Sequence, residues 1–143
     1  MFDPGINALS IVTRILPTAV VLKNAVLYFP SNQETPIAAS LSLTDENATP
    51  IRAEFDFRQT GPQSWDIDIE TDSGRLTLSN GGAVMKVNDN TVIQATDREY
   101  PNLYAHFATL VREKRVDVDV APLRLVADAF LCGKRVEVEP FVE

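Results

Sequence analysis

The chain has 143 residues, of which 45% are hydrophobic and 23% are charged, and its formal net charge is −7. A chain of this length buries about two thirds of the surface that its unfolded form exposes, so we expect one domain over residues 1–143 that needs no disulfide or metal to fold. The acidic balance and the lack of a lysine- and arginine-rich stripe argue against a nucleic-acid partner. No apolar run approaches the ~20 residues of a membrane span, which argues against a membrane protein.

The opening residues predict an amphipathic helix that ends at Pro17. Asp3 is a suitable cap and Pro4 suits the first helical position. Apolar residues recur at helical spacing at Ile6, Leu9, Val12 and Leu16. On the opposite side, steps of four, three and four residues place one polar stripe, formed by Asp3, Asn7, Ser10 and Arg14.

Residues 19–95 change to the two-residue period of β-strands. Ile51, Ala53, Phe55 and Phe57 alternate with charged residues, and Trp65, Ile67 and Ile69 do the same. Turn-forming residues separate the strands at Pro30-Ser31-Asn32, Asp45-Glu46-Asn47, Gly61-Pro62, Asp72-Ser73-Gly74, Asn80-Gly81-Gly82 and Asn88-Asp89-Asn90. Short strands joined by tight turns predict an antiparallel meander.

The last third of the chain predicts two helices and a final strand. Pro101 and Pro122 open the helices, Gly133 ends the second one, and residues 135–141 alternate as a strand. The expected fold is α+β, an open and mostly antiparallel sheet with helices covering one face.

Few residues offer chemistry of their own. One cysteine, Cys132, and one histidine, His106, are too few for a metal site, and we interpret His106 as structural. The chain has no G-x-G-x-x-G cradle for a dinucleotide. With a single cysteine and no export signal at its start, it is expected in a reducing cytoplasm.

Two positions have both a structural and a functional interpretation. Asp3 and Asn7, one helical turn apart, belong either to a capped surface helix or to a substrate pocket that recognises a polyol. Trp65 either packs in the core or stacks against the apolar face of a sugar.

Long stretches of the sequence resemble the C-terminal domain of the Gfo/Idh/MocA oxidoreductase family and, within it, the bacterial galactose and arabinose 1-dehydrogenases. The resemblance rests on the run from Phe2 to Ile11, on Trp65-Asp66-Ile67, on Glu99-Tyr100-Pro101 and on the run from Asp117 to Phe130. Where much of the family has D-x-G-x-H, this chain has Asp3-Pro4-Gly5-Ile6-Asn7, with an asparagine at the histidine position.

The resemblance implies a function that the chain cannot perform alone. It implies that an N-terminal Rossmann domain, absent here, binds NAD or NADP and carries a catalytic lysine. The implied reaction oxidises an aldose such as D-galactose or L-arabinose at C1 to the lactone. Asp3 and Asn7 would orient the sugar, Asp3 sharing the catalytic role, and Trp65 would wall the pocket. Family members often pair through their sheet, so a homo-oligomer is expected.

The alternative from another class is a standalone binding or dimerisation module without catalysis. In that case the charged face of the sheet would pair with the same face of a second copy.

Overall fold

A computed structural model of the protein describes residues 2–62, 66–96 and 98–142, and the side chains of residues 2–4 lie outside the description. The elements in chain order are α1 (Phe2–Ile15), β1 (Val21–Pro30), β2 (Ala38–Thr44), β3 (Pro50–Asp56), β4 (Ile67–Thr71), β5 (Gly74–Ser79), β6 (Val84–Val87), β7 (Asn90–Gln94), α2 (Glu99–Glu113), α3 (Ala121–Cys132) and β8 (Lys134–Val138). They divide into two compact units, Met1–Thr60 with Val118–Glu143, and Gly61–Asp117.

The first unit is built on a four-stranded sheet with the order β3-β2-β1-β8. β1, β2 and β3 pair antiparallel, as the two-residue period and the intervening turns predict. β8 pairs parallel with β1 in the register Val26↔Lys134 to Pro30↔Val138, because α3 returns the chain to the edge of β1.

Helices α1 and α3 cover one face of this sheet. Leu9 of α1 and Leu125, Val126 and Ala129 of α3 are buried against sheet residues such as Leu27. The predicted apolar side of the first helix is therefore the side that packs, and its burial supplies most of the stability of the helix.

The second unit contains the sheet β4-β5-β6-β7, an antiparallel meander, together with α2. Asn88 and Asp89 both have positive φ, which gives the tight turn between β6 and β7 the backbone twist that hairpins favour. None of the described residues of this unit is buried.

The α+β prediction is confirmed, with two differences in detail. The strands form two open sheets, and the helix that begins near Pro101 does not cover a sheet: Leu103 and Phe107 on its apolar side are 57% and 61% exposed. Over the described residues, no helix combines the length and the apolar character needed to cross a bilayer.

Gly133 joins α3 to β8 at a point of close approach. A Cβ added there would collide with the carbonyl oxygen of Ala129, the acceptor of the Gly133 amide. We expect Gly133→Ala to lower the free energy of unfolding by about 1–3 kcal/mol, the usual cost of overpacking, as measured by urea denaturation.

Gly5→Ala is the matched control. A Cβ at Gly5 would have no described neighbour within 4 Å, and alanine favours the helix. This variant should be neutral or up to about 1 kcal/mol more stable. If both variants lost stability equally, the close approach at Gly133 would not be the cause.

Candidate functional site

Helix α1 presents a polar stripe to solvent at its N-terminal end. Asn7, Ser10 and Arg14 are exposed, while Leu9 on the other side of the helix is buried. The Ser10 hydroxyl donates to the Asn7 main-chain carbonyl at 2.7 Å, and no described residue hydrogen-bonds the Asn7 side chain. A carboxamide in this position can donate to and accept from a bound hydroxyl compound.

The three predicted site residues differ in what the structure describes. The backbone of Asp3 lies in α1, one turn before Asn7, but its side chain is outside the described residues. Trp65 is also outside them. The helical spacing of Asp3 and Asn7 is therefore observed, whereas their shared role and the role of Trp65 stay predictions.

The direction of α1 follows from what its two ends contact. Its N-terminal half, at Gly5 and Leu9, shares a narrow apolar cavity with Leu27 and Phe55, and its C-terminal half lines a cavity of about 530 Å³ with the start of β1. The helix is therefore antiparallel to β1, and its N-terminus points towards the C-terminal end of that strand.

A third cavity, of about 520 Å³, opens at this end of the sheet, and we call it the end cavity. Its lining includes Asn32, Gln33, Thr35, Ile37, Phe57 and Phe141. Ala39 and Phe55 line the cavity beneath Gly5, and Ile37 lies two residues before Ala39 while Phe57 lies two residues after Phe55. Ile37 and Phe57 are just outside β2 and β3, but the Phe57 amide donates to the Ile37 carbonyl at 3.1 Å, so the pairing of the two strands continues to them. Residues two apart share a face, so both cavities lie on the helix-covered face.

Asn32 fixes one wall of the end cavity. Its Nδ2 donates to the Phe141 carbonyl at 2.8 Å, and its Oδ1 accepts from the Phe141 amide at 2.9 Å. The C-terminal segment is thereby held as if paired with a strand, which holds Phe141 at the cavity.

Sequence reasoning missed the end cavity. The sequence predicts only a turn at Pro30-Ser31-Asn32 and only the last apolar residue of an alternating strand at Phe57. The available signal was the unusual density of amide, hydroxyl and proline residues between two apolar strands at residues 30–36, which is longer than a hairpin needs.

In the second unit, His106 has a carboxylate partner. Its Nε2 lies 2.8 Å from Asp117 Oδ2, and both side chains are more than half exposed. The described residues place no Ser, Thr or Cys hydroxyl or thiol against this pair, which fits the structural interpretation of His106. Within the same described ranges, no three His, Cys, Asp or Glu side chains converge as metal ligands would.

Carboxylates on the strands are paired locally. Asp56 accepts two hydrogen bonds from the Arg58 guanidinium, at 2.9 and 2.7 Å, which lower the pKa of Asp56 to about 2. The Thr77 hydroxyl and then the Arg75 guanidinium lower the pKa of Asp68 below its usual value. Both groups are ionised at neutral pH, so neither is a general acid.

We expect Arg58→Ala to return the pKa of Asp56 towards 3.8, as followed by NMR titration of the carboxyl carbon. Because the folded pKa is the lower one, the pair stabilises the fold above the unfolded pKa near 3.9, and this contribution is lost as pH falls through about 2. The pair is half exposed, so solvent screens it and its contribution to stability is small. Arg52→Ala is the control. If it raised the pKa of Asp56 as much as Arg58→Ala does, Arg58 would not be the cause of the lowered pKa.

Two galactose dehydrogenases are similar to this chain throughout its length. The chain is 47% identical over all 143 residues to the galactose 1-dehydrogenase of Pseudomonas fluorescens and covers 47% of that protein. It is 53% identical to the D-galactose-1-dehydrogenase of Rhizobium etli, with a TM-score of 0.87, and covers 45% of that chain. The chain thus spans about half the length of these relatives, and the resemblance expected from its residues is confirmed.

A more distant structure shares the fold alone. A mutant of KijD10, a 3-ketoreductase from Actinomadura kijaniata solved with TDP-benzene and NADP, is 12% identical with a TM-score of 0.75. The match covers 95% of this chain and 48% of that one. No family model matches the sequence.

Proposed function

We propose that this chain, related in sequence and fold to half of a galactose 1-dehydrogenase, is the C-terminal, substrate-side domain of an NAD(P)-dependent aldose 1-dehydrogenase. The observation that carries the proposal is the 47% identity to such an enzyme along the entire chain. The exposed carboxamide of Asn7 on α1, without a described partner, supports a binding role at that helix.

In the proposed reaction, an aldose such as D-galactose or L-arabinose is oxidised at C1 to the lactone. The nicotinamide, held by an N-terminal Rossmann domain, would accept the hydride from C1. The proton of the C1 hydroxyl would pass to a base, either the Asp3 carboxylate or a lysine of that domain. Asn7 cannot take this proton because an amide does not titrate near neutral pH, so its part is to orient hydroxyl groups.

The nucleotide is assigned to another domain for two reasons. The described residues contain no glycine-rich turn leading into a helix of the kind that binds a pyrophosphate. The relatives are about twice as long as this chain, and the similarly folded KijD10 was solved with NADP. We place the enzyme in the cytoplasm, in agreement with the single cysteine of this chain.

The deciding experiment is to express the complete natural reading frame and to measure NAD(P)H formation with D-galactose and with L-arabinose. About 165 further residues upstream would supply a Rossmann domain of typical size. The 143-residue chain alone should form no NAD(P)H. Absence of turnover by the complete protein with any aldose would end the proposal.

A second candidate, the self-associating module, is favoured by the uncovered β4–β7 sheet. Its apolar face carries cross-strand neighbours such as Ile69, Leu76 and Val87, while Asp68, Thr77 and Lys86 lie on the other face. Because the apolar face is the one that gains from burial, it is a stronger candidate for pairing than the charged face expected from the sequence.

We expect the isolated chain to self-associate in analytical ultracentrifugation, because burying this face removes apolar area from water. Ile93→Lys, which places a charge on that face at a residue already 47% exposed, should shift the distribution towards monomer. Thr91→Lys is the control, because a bulge in the β6–β7 pairing separates Thr91 from Ile93 and Thr91 pairs with Lys86 on the opposite face. Equal effects of the two variants would show that net charge, not the apolar face, controls association.

A further inference from the structure

We infer that the end cavity is a subsite for a second, uncharged sugar ring, linked to the aldose that α1 would hold. The inference rests on the proposed function and extends it from a monosaccharide to a disaccharide substrate. Only the C1 hydroxyl must be free for the proposed oxidation, so the second ring would be attached through another hydroxyl of the aldose.

The lining of the end cavity matches sugar chemistry. Gln33 and Thr35 supply an amide and a hydroxyl group, and Phe57 and Phe141 supply aromatic rings. None of the described lining residues carries a formal charge, so the cavity suits a neutral ligand. Hydrogen-bonding groups around apolar rings suit a pyranose, which has hydroxyls at its rim and C–H groups on its faces.

The position of the end cavity places it beside the proposed substrate helix. Phe55 lies with Gly5 at the cavity beneath α1, and Phe57, two residues later and just past the end of β3, lies at the end cavity. Two strand residues span roughly 7 Å, and both side chains point to the same face of the sheet. The N-terminus of α1 and the end cavity therefore lie at the same end of the sheet and on the same face, which is the placement that a ligand of two linked rings requires.

The cavity wall is formed before any ligand binds. Pro30 and Pro36 are buried and limit the backbone freedom of the loop between β1 and β2. Both hydrogen bonds between Asn32 and the Phe141 main chain hold the C-terminal segment against the same loop. Such a preformed site loses little conformational entropy on binding.

The test is an NMR titration of the ¹⁵N-labelled 143-residue chain with a galactosyl-galactose disaccharide that has a free reducing end, and with D-galactose. We expect the disaccharide, and not D-galactose, to shift the amide signals of residues 32–35, 37 and 57. Phe57→Ala should raise the disaccharide Kd about tenfold and Gln33→Ala about fivefold, since each removes one contact. Gln33 is exposed, so its replacement leaves folding intact.

Tyr104→Ala, which removes an exposed aromatic ring in the other unit, is the control and should leave the Kd unchanged. Disaccharide shifts confined to α1, or no shifts at all, would overturn the subsite. Equal Kd values for the wild type, Phe57→Ala and Gln33→Ala would overturn it as well. The proposed function is judged separately by NAD(P)H formation with D-galactose, so either idea can fail while the other stands.

Discussion

Replacing Asp3 with alanine is expected to lower kcat/KM for D-galactose about 10²–10³-fold in the complete enzyme. The reason is that a carboxylate at the first turn of α1 would accept a hydrogen bond from a substrate hydroxyl and would take part in removing the proton of that hydroxyl. Positioned acid–base groups contribute about 10²–10⁴-fold to the rate. Asp3→Asn keeps the shape and the hydrogen-bonding capacity but cannot take a proton. If Asp3 is the base, the asparagine variant should be as slow as the alanine variant, as measured by initial rates of NAD(P)H formation.

The pattern of kinetic constants separates a catalytic Asp3 from a merely structural one. The structure begins α1 at Phe2, so Asp3 lies in the first turn and is not the cap expected from the sequence. A carboxylate with only a structural role there would contribute about 0.3–1 kcal/mol of stability, and its loss would leave kcat nearly intact at low temperature. Asn7→Ala should chiefly raise KM, because the amide binds ground state and transition state alike. Arg14→Gln, at the exposed far end of the same stripe, is the control. Unchanged turnover in both the Asp3 and the Asn7 variants would remove the site assignment.

Local patterns in this chain predicted elements well because each depends on neighbouring residues. The period of Ile6 and Leu9 depends on helix geometry, and the alternation through Ala53 and Phe55 depends on strand geometry, so both elements were placed correctly. Asn88-Asp89 similarly predicted the turn between β6 and β7, because these residues tolerate positive φ.

It was harder to predict which elements pack or pair with one another. Periodicity identifies the apolar face of a helix or strand, but it does not say what covers that face. The apolar side of α2, with Leu103 and Phe107, has the same period as that of α3, yet one is exposed and the other buried. The parallel pairing of β8 with β1 depends on where α3 ends. The end of α3 is set by the close approach of the chain at Gly133, which is a tertiary contact.

In the candidate site, too, the local features could be predicted from the sequence and the tertiary contacts could not. The spacing of Asp3 and Asn7 could be predicted from the sequence because four residues make about one helical turn. The end cavity could not, because it depends on Asn32 and Phe141, 109 positions apart, meeting through their hydrogen bonds. Contacts of such separation leave no periodic signal in the chain.

The packing beneath the site gives the largest expected effect on stability, which we assign to Leu27→Ala. Leu27 is 1% exposed, and its neighbours include Ala25, Ala39 and Ala129, whose short side chains cannot move in to fill a void. We expect the free energy of unfolding to fall by about 3–5 kcal/mol, in the upper part of the usual range for replacing a buried leucine with alanine. Urea denaturation, with an unchanged m-value, measures this loss.

Leu131→Ala is the matched control, because this leucine of α3 is 82% exposed and its truncation should change stability by no more than about 0.5 kcal/mol. A similar loss in both variants would mean that burial at Leu27 does not govern stability. Because Leu27 and Leu9 belong to the same core cluster, the void would also loosen α1. The complete enzyme with Leu27→Ala should therefore lose activity on warming before the wild type does, with kcat near normal in the cold.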